Sequence, residues 1–192
     1  MPVPSQFSSR ALGFALAVVL AVTRSGHFGS ISMPPDATLA VFFLAGAFIA
    51  SAWLVPLLLF EAALVDYLAI TVGGVSSYCV TPAYLFLIPT YAALWWAGRW
   101  YGRRLKVNGY AIVVLAFAVV VGTTAAFLIS NGSFYALSGY FTALSLTTYA
   151  TRVAQYYPPY VGWTAFYAGL GVAALRWLAH AKSSQRQEAA SK

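Results

Sequence analysis

Four residues of this chain could share one chemical site: Asp66, Cys79, Tyr84 and Arg152. Cys79 is the single cysteine, so an internal disulfide and a cysteine-built zinc site are both excluded. Most lone cysteines act as small buried hydrophobes. Here the neighbours Ser76, Ser77, Thr81 and Pro82 read as a loop, and a thiolate is both a soft metal ligand and a nucleophile. Both readings stand. Asp66 lies within an apolar run, where an ionised carboxylate needs either a partner or a function. Arg152 is the basic residue of the segment 133–160. It is either a surface charge or the partner of Asp66 or of an anionic ligand. Tyr84 follows Cys79 by five positions and is the best placed of many tyrosines in the same region. The others (Tyr78, Tyr135, Tyr140, Tyr149, Tyr156, Tyr157 and Tyr160) suit an interfacial aromatic belt. Glu61, one to two turns before Asp66, reads as a helix-end residue or a partner contact.

The elements that position these residues follow from composition. The 192 residues are 61% apolar and 8% charged, with a mean hydropathy of +0.76. Soluble domains carry about 25% charged residues, so lipid is the solvent that fits. The expected fold is an all-α integral membrane protein with a single bundle of six transmembrane helices. Apolar runs place the spans at about 10–24, 35–54, 56–75, 82–100, 110–130 and 160–179. Pro56 is read as the break between the second and third spans, Asn131-Gly132 as a turn, and Pro158-Pro159 as the start of the last span. The first run, 11–22, is short, and a signal-peptide core is its alternative; Thr23-Arg24-Ser25-Gly26 is a poor cleavage site. An uncleaved helix with snorkelling arginines is preferred. The more polar segment 133–157 is expected to be a partly helical outer loop, and 183–192 a frayed cytoplasmic tail.

The net charge of +7 signals orientation rather than nucleic-acid binding. With six spans and the N-terminus inside, the inner segments hold Arg10, Arg99, Arg103, Arg104, Lys106, Arg176, Lys182, Arg186 and Lys192. The outer segments hold only Arg24 and Arg152. This bias puts both termini in the cytoplasm. In the first span Ala11/Ala15 and Ala17/Ala21 are spaced i, i+4, beside Gly13, which permits close approach of a partner helix. The chain has neither a Walker motif nor a His-Glu-x-x-His motif.

The order of these features resembles one family. A small-residue first helix precedes Pro34-Pro35-Asp36-Ala37-Thr38-Leu39-Ala40; then come Asp66, Tyr78-Cys79-Val80-Thr81-Pro82-Ala83-Tyr84, and later Arg152. The pattern is similar to the BtuM-type vitamin B12 S-components of energy-coupling factor (ECF) transporters. The resemblance spans nearly the whole chain, and the Cys-Val-Thr-Pro-Ala-Tyr stretch with upstream Asp66 is its most specific part. It implies a substrate-binding subunit of the bacterial inner membrane that takes up cobalamin and lacks an ATPase of its own. A coupling subunit and two ATPase subunits would energise it. It further implies that Cys79 ligates the corrinoid cobalt axially as thiolate and that Asp66, Tyr84 and Arg152 line an outward-facing pocket. Ala11, Ala15, Ala17 and Ala21 would meet the coupling subunit. Thiolate attack on the cobalt, displacing an upper ligand such as cyanide, is chemically coherent with this reading.

Three rivals remain. An S-component for another vitamin would share the architecture. An exosortase-like intramembrane cysteine transpeptidase would also set a cysteine and an arginine at the outer face, but needs a histidine base on that side. The chain places His27 before the cysteine and His180 inside. A structural subunit without ligand is the third.

Overall fold

The computed structural model describes residues 9–24, 35–49, 51–104 and 110–190. Within them the chain is all-helical, without strands. The order is α1 (Ser9–Arg24), α2 (Thr38–Phe48), α3 (Leu54–Thr71), 3-10 turns at Ser77–Cys79 and Pro82–Phe86, α4 (Leu87–Arg104), α5 (Ala111–Leu137), α6 (Leu146–Ala154) and α7 (Tyr157–Ala190). By length and composition α3 and α5 suffice to cross a membrane. Large apolar side chains such as Phe14, Leu57, Phe60, Ile112 and Leu128 are exposed on the helices' outer faces, which is compatible with a hydrocarbon surrounding.

The core forms around α2. Thr38 and every residue from Ala40 to Gly46 are buried. This helix lies against α4 through small residues: a Cβ on Gly46 would overlap the Trp95 carbonyl, and one on Gly98 the Phe43 carbonyl. Gly98 and Gly102, one turn apart, both abut α2, the close backbone approach that small-xxx-small spacing allows. On α3 the buried residues are Leu58, Ala62 and Asp66. That strict spacing of four defines one inward stripe, and it carries Asp66 into the interior. In α1, Leu16 and Leu20 join the same core.

Four boundaries differ from the sequence expectation. The second span is not continuous over 35–54, because α2 ends at Phe48 and Ile49 is extended. Pro56 does not make this break. It lies in the first turn of α3, where a missing N–H leaves no helical bond unmade. Asn131-Gly132 does not end α5. The Asn131 amide donates to the Phe127 carbonyl at 3.0 Å, reinforcing the helix across Gly132, and the chain turns instead after Leu137, at Gly139 with φ +79°. The tail is helical to Ala190. The segment after α5 is partly helical as expected. Ser145 caps α6 by accepting from the Thr148 N–H, and Pro158 and Pro159 sit in the first turn of α7.

Candidate functional site

The ends of α1, α2 and α3, with the Pro82–Phe86 turn, converge on a cavity of about 700 Å³. Arg24, the last residue of α1, is only 5% exposed. Its guanidinium meets Asp66 side-on: Nε donates to Oδ1 at 2.7 Å and Nη2 to Oδ2 at 2.7 Å. Nε also reaches the Ala62 carbonyl at 3.2 Å. Nη1 donates to the Tyr91 hydroxyl at 2.8 Å and to Thr38 Oγ1 at 3.2 Å, and stands 4.0 Å from Asp36 Oδ2. The Tyr84 hydroxyl donates to Asp66 Oδ2 at 2.7 Å. A bidentate pair of this kind is the strong form of the interaction, and burial makes each partner dependent on the other.

Asp36, two residues before α2, joins this end of the cavity, its Oδ1 accepting from the Thr38 N–H at 2.8 Å. Tyr91 is held face to face with Phe42, ring centroids 4.6 Å apart. The opposite wall is aromatic, built by Phe127, Phe134, Tyr156, Tyr160 and Trp163 from α5 and α7 and the link before it.

Cys79 closes the short turn Ser77–Cys79, which Ser76 caps by accepting from the Tyr78 N–H. Its thiol is exposed and lines the cavity. Partial burial of the sulfur, and then the negative charge of Asp66, push the thiol pKa above its ordinary value. At neutral pH the group is therefore a thiol, and it becomes a thiolate only when something replaces its proton. Tyr78, next to it, stacks on Tyr140 at 4.4 Å and packs edge-on to Phe134 at 5.6 Å. These contacts tie the cysteine turn to the loop before α6. Among the described residues no three His, Cys, Asp or Glu side chains gather as a metal site.

Of the residues singled out in the sequence, Asp66, Cys79 and Tyr84 come together in this cavity. Arg152 does not join them. It is exposed on α6, and the carboxylate it was expected to face is held by Arg24. Arg24 is correspondingly not a snorkelling interface residue. Ala11 and Ala15 are exposed on α1, whereas Ala17 and Ala21 are half-buried. Glu61 is half-buried on α3 and His180 exposed on α7; His27 lies outside the described residues.

Arg24, Asp36 and Tyr91 were missed as site residues. Arg24 carried a usable signal, since the orientation argument sets it on the same side as Asp66. Tyr91 carried one too, since it follows Tyr84 by seven residues and so falls on the same face of the helix expected over 82–100.

No known family model matches the chain, and no curated protein is significantly similar to it.

Proposed function

We propose that this chain is the substrate-binding subunit for cobalamin uptake across the bacterial inner membrane. It would be a bundle of six spans with both termini cytoplasmic, energised by an ECF-type coupling subunit and two ATPase subunits. The observation that carries the reading is a single thiol on the rim of a cavity whose floor holds a fixed carboxylate and tyrosine. A lone sulfur cannot cage a bare cation. It can occupy one axial position of a metal that arrives already chelated in a plane, which is how a corrinoid presents cobalt. Soft thiolate suits that position. A cavity of about 700 Å³ is the size of a drug-like ligand site, so it would receive one face of a cobalamin and leave the remainder at the outer mouth. The aromatic wall offers flat apolar surface to the corrin, and the exposed Ala11/Ala15 edge of α1 is the surface we assign to the coupling subunit.

In this reading Cys79 loses its proton to solvent as the sulfur–cobalt bond forms. With cyanocobalamin the cyanide leaves as the anion, and the cobalt keeps its oxidation state. Titrating the purified protein with cyanocobalamin, while recording the visible spectrum, tests the proposal. A shifted corrin spectrum is expected for wild type and none for Cys79→Ala. Identical spectra for the two proteins, or no binding at all, would overturn it.

A further inference from the structure

We infer that the Arg24–Asp66 end of the cavity selects its ligand by hydrogen-bond polarity: it accepts, and so takes the primary-carboxamide form of a corrinoid rim and rejects the carboxylate form. This deepens the cobalamin reading and rests on it.

The Tyr84 hydroxyl proton lies on Asp66 Oδ2 at 2.7 Å, so toward the cavity the phenol offers lone pairs only. Thr90 lines the same end, and its hydroxyl donates to the Phe86 carbonyl at 2.7 Å. Its oxygen is therefore also an acceptor for any further partner. Asp66 and Asp36 are carboxylates and can only accept. The cation nearby does not reverse this polarity. Arg24 directs Nε, Nη1 and Nη2 at Asp66, Ala62, Thr38 and Tyr91, and it is buried behind them. Tyr91, 5% exposed, and Tyr160, which faces Tyr91 and Asp36, each bring one hydroxyl proton to this end, against the acceptors of Asp36, Asp66, Tyr84 and Thr90.

The chemistry that satisfies such a surface is the N–H donor. A primary carboxamide brings two N–H groups and no charge. A carboxylate brings lone pairs against lone pairs and a negative charge beside Asp36 and Asp66. Sites built to bond one polar group reject the analogue that cannot form the bond, because the buried partners are left unpaired. Like charge adds a repulsive element to that discrimination.

The test compares two corrinoids with the same cobalt and axial ligands, one with primary carboxamides at the rim and one with those amides hydrolysed to carboxylates. Affinities are read for the purified full-length protein from ligand absorbance at neutral pH. The amide form is expected to bind about 100-fold tighter, the order for hydrogen bonds involving charged groups. Asp36→Asn keeps an oxygen to accept from the Thr38 N–H and adds a donor. It is expected to improve the carboxylate ligand about tenfold and so to narrow the preference for the amide ligand, one hydrogen bond being the difference. Equal affinities of wild type for the two forms, or an unchanged ratio in Asp36→Asn, would overturn the polarity inference and leave cobalamin binding intact. Failure of both corrinoids to bind wild type would overturn the cobalamin reading and this inference with it.

Discussion

Arg24 and Asp66 are joined through two parallel hydrogen bonds, each 2.7 Å long, that link the end of α1 to the inward stripe of α3. Both residues are more than nine-tenths buried. The pair is also wired into the cavity, because the same carboxylate receives the Tyr84 hydroxyl.

Removing one member should cost more than removing both. Arg24→Met or Asp66→Leu leaves a buried charge without its partner, a loss of about 3–5 kcal/mol. The double variant replaces the pair by apolar volume and should recover most of that loss. Thermal unfolding of the three variants in detergent checks this, and strictly additive single effects would contradict it.

Corrinoid binding through Cys79 should strengthen as pH rises. The thiol pKa is raised by partial burial and by Asp66, so the free protein holds the proton that ligation releases. With one proton released, apparent affinity gains about tenfold per pH unit until the thiol itself titrates. Replacing Asp66 by Asn removes a negative charge and should shift the curve to lower pH. Spectral titrations across pH measure both effects; a flat profile would mean that the sulfur is not the ligand.

Two glycines should respond in opposite directions. Gly98→Ala forces a methyl group into the Phe43 carbonyl and must part α2 from α4, an overpacking cost of about 1–3 kcal/mol. Gly132 lies inside α5 with open space around its Cβ position. There Gly132→Ala should stabilise by about 0.5–1 kcal/mol. Melting temperatures in detergent would show one fall and one modest rise.

Tyr84→Phe should weaken cobalamin binding more than Arg152→Ala does. The tyrosine lines the cavity and is fixed by Asp66, whereas Arg152 is exposed on α6. The loss of one hydrogen-bonding oxygen corresponds to about tenfold in affinity. Equilibrium binding of the two variants decides it; a larger loss for Arg152→Ala would place part of the ligand against α6.

The single cysteine is also a reporter of orientation. Because Cys79 is the chain's one thiol and is exposed, a membrane-impermeant maleimide should label intact spheroplasts and spare sealed inside-out vesicles. Labelling with the opposite preference would invert the proposed topology.

The sequence revealed where polarity was out of place more readily than where the backbone turns. Asp66 stood out because a carboxylate in an apolar run demands a partner, and Cys79 because its neighbours are loop-forming. Pro56 misled because proline breaks a helix interior but is welcome in a first turn, and the first turn of α3 begins two residues before it. Asn131-Gly132 misled because the asparagine side chain bonds back to its own helix. The identity of Asp66's partner was hidden by distance along the chain. Arg24 and Arg152 were both available on the proper side, and only the packing of α1 against α3 chooses between them.

That choice has a bearing on how the chain is made. Arg24 precedes Asp66 by 42 residues, so during synthesis the guanidinium emerges well before the carboxylate that neutralises it. Until α3 arrives, Arg24 must keep its water, and α1 cannot settle at its final depth beside Leu58 and Ala62. α1 is thus fastened only once α3 is made, and the element that fastens it is the one that brings Asp66 to the floor of the cavity.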